Sequence, residues 1–130
     1  MPCDRFLVEE MVGGAVAELL VGVVKDPAHG FVLTLAAGGV MTEILADRVS
    51  LLVPASEQSL KQALTQLKTY PLLTGFRGKP PADIAAIVRA IQALQSYALA
   101  NFDTLSEAEI NPLICTPNRA VAADALIRKA

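Results

Sequence analysis

Two apolar runs near the end of the chain, 108–115 and 120–127, flank the four residues Thr116-Pro117-Asn118-Arg119. Such runs on either side of a Pro-Asn pair predict a β-hairpin. With Pro117 and Asn118 as its two central residues, Thr116 opposes Arg119, and the same register carries Asn111 opposite Asp124. Residues directly across a ladder share a side, with Cβ atoms roughly 5 Å apart. Glu109, two residues before Asn111, joins that face because strand side chains alternate. Three oxygen-bearing side chains on an otherwise apolar hairpin are costly unless water, hydrogen bonds or a hard cation satisfies them. A divalent magnesium ion is one such cation. The register decides the matter, since a loop one residue longer or shorter puts Asp124 on the other face.

A chain of 130 residues has the size of one ordinary domain. Its composition is 53% hydrophobic and 18% charged, more apolar and less charged than a typical soluble domain. The excess has two readings: apolar surface covered by another domain or subunit, or simply an alanine-rich sequence. Net charge is −2 and no lysine/arginine run stands out, which argues against a nucleic-acid or anionic-membrane surface. The longest uncharged stretch, Pro27 to Thr42, contains proline, histidine and a glycine pair. It falls short of the ~18 apolar residues expected of a membrane span. The opening Met-Pro-Cys-Asp-Arg has no apolar signal core, so a cytoplasmic location is expected. Cys3 and Cys115 lack metal-ligand spacing and are expected to be free thiols.

Taken in order, Phe6 to Met11 reads as a short strand and Val12-Gly13-Gly14 as a turn. Alternation over 17–25, the turn Asp26-Pro27-Ala28-His29-Gly30 and the run 31–35 predict a second hairpin. Gly38-Gly39 breaks the pattern, either for positive φ or for a close approach of the backbone. Val40 to Leu45 and Arg48 to Val53 read as two more strands. After Pro54 the period changes. Ser56 is a candidate N-cap, and Leu60, Ala63, Leu64 and Leu67 fall at helical spacing. The Pro/Gly-rich segment from Tyr70 to Pro81 is expected to be a loop. A longer helix begins near Ala82, with Ile84, Ile87, Val88, Ile91, Leu94 and Ala98 as its buried stripe and Asp83 on its wet side. The order predicts an α+β fold, a mainly antiparallel sheet with two helices on one face.

His29 in its Pro-Gly turn reads as a solvated turn residue, and with one histidine no Ser/His/Asp or Cys/His constellation can be assembled. Gly38-Gly39 fits neither a dinucleotide fingerprint nor a phosphate loop. Arg77, in the long loop, is either a phosphate contact or a rim charge. The Glu109/Asn111/Asp124 group is the leading site candidate.

Five stretches together resemble a known family. They are Leu7-Val8-Glu9-Glu10-Met11, Ala17-Glu18-Leu19-Leu20-Val21-Gly22, Gly38-Gly39-Val40 followed by Glu43, the segment from Tyr70-Pro71-Leu72-Leu73 through Arg77-Gly78-Lys79-Pro80-Pro81-Ala82-Asp83, and Glu109-Ile110-Asn111-Pro112-Leu113 with the later Asp124. In this order they resemble the ATP-grasp domain of NDP-forming acyl-CoA synthetases, with the succinyl-CoA synthetase β subunit a more distant relative. The resemblance implies that Glu9, Val12 and Glu18 match nucleotide contacts, the first two on a hinge strand between subdomains. It implies that Asn111 and Asp124 match the ligands of the Mg2+ that accompanies ATP or ADP. Glu109 matches a glutamate near a phosphohistidine during phosphoryl transfer. The implied reaction interconverts acid, CoA and ATP with acyl-CoA, ADP and phosphate through an acyl phosphate and a phosphohistidine.

Members of that family also carry a CoA-binding domain, a phosphohistidine domain and an N-terminal ATP-grasp half with a lysine and a glycine-rich phosphate loop. None of these is in the sequence. Residues 1–130 are therefore expected to be the C-terminal subdomain of an ATP-grasp unit, inactive alone and partnered by those missing parts. A second reading, from another class, is a non-catalytic regulatory or scaffold module, such as the synthetase-like part of a protein acetyltransferase.

Overall fold

The computed structural model describes residues 14–38 and 46–129. Among them six strands form one sheet: β1 (Ala17–Asp26), β2 (Gly30–Ala37), β3 (Arg48–Leu52), β4 (Leu105–Cys115), β5 (Ala120–Ala122) and β6 (Ala125–Lys129). The spatial order is β3-β2-β1-β4-β5, with β6 also paired to β4, and every pairing is antiparallel. β-branched and leucine residues alternate along β1 and β2, so one set faces inward. Leu19, Val21, Val23, Leu33 and Leu35 are fully buried, while Leu20, Thr34 and Val24 turn to the other face. The predicted strands at 17–25, 31–35 and 48–53 correspond to β1, β2 and β3. Those predicted at 6–11 and 40–45 lie outside the described residues.

The helices among the described residues are α1 (Glu57–Thr65), α2 (Tyr70–Leu73) and α3 (Ile84–Ala100). Ser56 caps α1 by accepting from the Ser59 amide, and Leu60, Ala63 and Leu64 point into the core. Asp83 is not a wet-side residue of α3 but its N-cap, with its carboxylate accepting from the Ala86 amide at 3.0 Å. Both longer helices lie on the sheet face that carries Leu19, Val21 and Leu33, forming one core with them. The segment expected to be a loop contains the short helix α2. Pro71 sits at its start, where a missing N–H costs nothing, and Leu73 is fully buried. The Leu73 carbonyl then accepts from the Ala82 amide at 2.8 Å, closing the loop.

Two buried polar side chains tie helix to sheet. The Asp47 carboxylate accepts from the Lys68 and Thr69 amides at 2.6 and 2.9 Å, while its own carbonyl accepts from Ala37 N–H. The Gln95 amide pairs with both backbone groups of Ala55. Gly38, just after β2, lies tight against the β1 backbone, since a Cβ there would lie 2.4 Å from the Leu19 carbonyl carbon. Close approach, not positive φ, is what this glycine serves. No helix among the described residues is long and apolar enough to cross a membrane.

Candidate functional site

The closing hairpin has the register expected of a two-residue turn. Cys115 pairs with Ala120 and Leu113 with Ala122, and Thr116 N–H donates to the Arg119 carbonyl at 2.9 Å. The Thr116 hydroxyl organises the turn by accepting from the Arg119 amide at 3.0 Å. Continuing down the ladder, Asn111 N–H donates to the Asp124 carbonyl at 3.1 Å, so these two residues stand opposite one another. The return strand is split into β5 and β6 around Ala123 and Asp124, yet Ile110 still pairs with Ala125 and Glu109 with Leu126 in the same register.

Ala108 is buried and Ile110 packs against the core. Glu109 therefore projects from the opposite face of the sheet, helix-free among the described residues. It lines a recess of about 90 Å³ with Asn111 and Asp124. One Asp124 oxygen accepts from the Ala125 amide at 2.9 Å, which orients the carboxylate. The recess thus gathers two carboxylates and one amide oxygen. Among the described residues no group of three or more His, Cys, Asp or Glu side chains is clustered to hold a metal. Two carboxylates and an amide are an incomplete set for a protein-caged ion. They fit Mg2+, which takes one or two carboxylates and fills its remaining positions with water and phosphate oxygens.

Pro112 sits in the middle of β4, a strand paired on both sides, where a residue without N–H is normally excluded. A β-bulge accommodates it. Leu19 pairs with Leu113 but Val21 pairs with Ile110, so Asn111 and Pro112 together oppose Leu20. The bulge lies at the residue that faces Asp124.

Glu18 is exposed near the start of β1, opposite Ile114, on the same helix-free face. Its charge and, more strongly, burial push the Cys115 thiol up to about 12. Glu9 and Val12 lie outside the described residues. His29 is exposed in its turn, 3.4 Å from Asp26. Arg77 is exposed with φ 53°, its guanidinium 5.3 Å from the Phe76 ring centre, and it does not line the recess.

A second cavity of about 230 Å³ adjoins the recess through their shared residue Glu109 and runs across the face over Leu20, Gly22, Thr34 and Ala36 to Arg48. Sequence reading did not single out Thr34 or Arg48. The available signal was the alternation of β2 and β3, which puts both on the face of Glu109.

Residues 2–128 match the ATP-grasp domain family. The chain is 34% identical over 96 residues to the β subunit of an ADP-forming acetate–CoA ligase II from Pyrococcus furiosus, covering 74% of this chain and 41% of the relative. It is 37% identical over 115 residues to a trans-feruloyl-CoA synthase from an unknown prokaryotic organism, covering 88% of this chain and 16% of the relative. A solved acetyl-coenzyme A synthetase 1 from Ca. Korarchaeum cryptofilum superposes with a TM-score of 0.84 at 32% identity, covering 98% of this chain and 61% of that one. That structure holds coenzyme A and Mg-AMPPCP, with a phosphohistidine segment pointing towards the nucleotide-binding site. The chain spans less than half the length of the acetate–CoA ligase β subunit that it matches. With a family match over nearly its whole length and relatives above 30% identity, the chain belongs to the ATP-grasp family, among sequences of ADP-forming acyl-CoA ligases.

Proposed function

We propose that this chain is the C-terminal subdomain of the ATP-grasp unit of an NDP-forming acyl-CoA synthetase and holds one side of Mg-ATP or Mg-ADP. The observation that carries the reading is the pairing of Asn111 with Asp124 on the helix-free face, beside Glu109. Asn111 and Asp124 hold the magnesium ion through their side-chain oxygens. When bound, the ion neutralises charge on the nucleotide phosphates. Glu18 contacts the nucleotide from the neighbouring strand, and Glu9 and Val12 do so from the segment before it. Glu109 stands beside the transferred phosphoryl group. The Asp124–Ala125 hydrogen bond fixes the carboxylate before the ligand arrives, so less ordering is required on binding.

The complete protein joins an acid to CoA with cleavage of ATP to ADP and phosphate, and its partners are the CoA-binding and phosphohistidine domains and the other ATP-grasp half. The apolar surface left on the helix-free face supports this, because Val24 and Leu52 are 50% and 57% exposed there. In the complete protein, Asn111→Ala or Asp124→Ala lowers nucleotide-dependent acyl-CoA formation by about 100-fold or more while the circular dichroism spectrum is unchanged. Normal turnover in either variant removes the metal assignment. Intact wild-type protein that binds no Mg-ATP in calorimetry is a non-catalytic ATP-grasp module instead.

A further inference from the structure

The side chains of the helix-free face form rows across the strands. Asp124 and Asn111 lie in one row, which continues past the bulge through Leu20 and Ala36 to Arg48. The next row, about 7 Å along the strands, runs Leu126, Glu109, Gly22, Thr34 and Ser50. Glu18, the nucleotide contact, lies on the opposite side of the Asn111 row. A nucleotide whose sugar end is near Glu18 and whose phosphates meet Asn111 and Asp124 therefore directs its terminal phosphate toward the Glu109–Gly22–Thr34 row. The 230 Å³ cavity occupies that ground.

Three features of the cavity point to an anion there. Arg48 lines it three inter-strand steps from β4, about 14 Å, and among the described residues its guanidinium forms no ion pair or side-chain hydrogen bond. Thr34 places a hydroxyl between Arg48 and Glu109, likewise without a hydrogen-bond partner among the described residues. Gly22 leaves the floor bare although the backbone does not require a glycine. A Cβ there would meet its nearest atoms at 3.7 and 3.8 Å, ordinary contact distances, and its φ is not positive. A glycine inside a strand weakens the strand, and where sterics do not demand it the bare backbone marks a close approach by something else. Glu109 at the other end repels an anion, so the anion sits at the Arg48–Thr34 end while the metal lies on the carboxylate side.

We infer that Arg48 and Thr34 form a subsite for the phosphoryl oxyanion on the acceptor side of the magnesium–nucleotide site, over the bare floor of Gly22. The inference rests on the reading of Asn111 and Asp124 as the magnesium–phosphate end. Two sources share this chemistry: free inorganic phosphate and a phosphoryl group carried on a protein segment.

The test uses the complete protein and has two arms. With the nucleotide site saturated with Mg-ADP, inorganic phosphate is titrated by calorimetry; separately, with Mg2+ and no added ADP, label transfer from γ-32P-ATP onto the protein is timed. Arg48→Ala weakens phosphate binding or slows labelling by about tenfold or more, Arg48→Lys recovers part of the loss, and Mg-ADP affinity stays unchanged. A response in the phosphate arm alone identifies free phosphate as the ligand, and one in the labelling arm alone identifies a carried phosphoryl group. No change in either arm overturns the subsite. So does a parallel loss of Mg-ADP affinity, which makes Arg48 a nucleotide contact. If the wild type fails to bind Mg-ADP, the proposed function falls. The phosphate titration without nucleotide then still decides the role of Arg48, because equal affinity in wild type and Arg48→Ala overturns it.

Discussion

Asn111 and Asp124 are thirteen positions apart in sequence and neighbours in space because of one hydroxyl and one turn. Thr116 accepts the Arg119 amide, the loop holds two residues, and the register follows without a slip as far as Glu107 opposite Arg128. Gly38 has an equally local cause and a measurable consequence. Any side chain there meets the Leu19 backbone at 2.4 Å, which cannot move without disturbing β1. Gly38→Ala is expected to destabilise the protein by at least about 2 kcal/mol, read as a lower urea midpoint at constant slope. Cys115 gives a pH-dependent prediction. Burial, with a smaller push from Glu18, raises its thiol from 9.0 to about 12, so the folded state keeps the proton more tightly than the unfolded one. Its stabilising contribution is complete below pH 9 and is lost as pH rises towards 12. In a Cys3→Ser background, Cys115→Ala removes the part of the alkaline loss of stability that falls in that window, and native wild-type Cys115 resists alkylation at pH 8. Fast labelling at pH 8 would contradict this.

At the scale of elements, the strands and helices that bury one face were legible because their side chains keep period two or 3.6. Ser56 and the 60/63/64/67 stripe mark α1 as directly as any contact does. Less could be read where a single long-range bond decides the outcome. Asp47 looks like a surface carboxylate between two strands, yet it is buried and caps the amides of Lys68 and Thr69. Gln95 falls on the core side of α3 because Ala55, forty residues away, offers it a donor and an acceptor. The helix α2 escaped because Pro71 and the glycines after it signal a loop, while burial of Leu73 holds one helical turn in place. The bulge at Asn111-Pro112 was also hidden, being a property of how β4 pairs with β1 and not of the hairpin. Asp47→Ala leaves two amides without their acceptor and is expected to cost about 3 kcal/mol, measured by chemical denaturation. A loss below 0.5 kcal/mol, small for a buried acceptor of two amides, would mean that water replaces the carboxylate.

For the molecule as a whole, one face of the sheet is closed by α1 and α3, and among the described residues no helix covers the other. Glu18, Glu109, Asn111, Asp124 and Arg48 all belong to the open side, and so do the exposed apolar residues Val24 and Leu52. On the proposed reading, this face, with its carboxylates, bare glycine and uncovered apolar side chains, is one half of a two-sided site. In the proposed function the Asn111–Asp124 pair holds the magnesium of a bound nucleotide. The direct test is calorimetric titration of the complete protein with ATP in the presence and absence of Mg2+. Magnesium-dependent binding is expected in the wild type, with a loss of about tenfold or more in affinity for Mg-ATP in Asp124→Ala and little change in the weaker magnesium-free binding. Equal Mg-ATP affinity in the wild type and Asp124→Ala would contradict it.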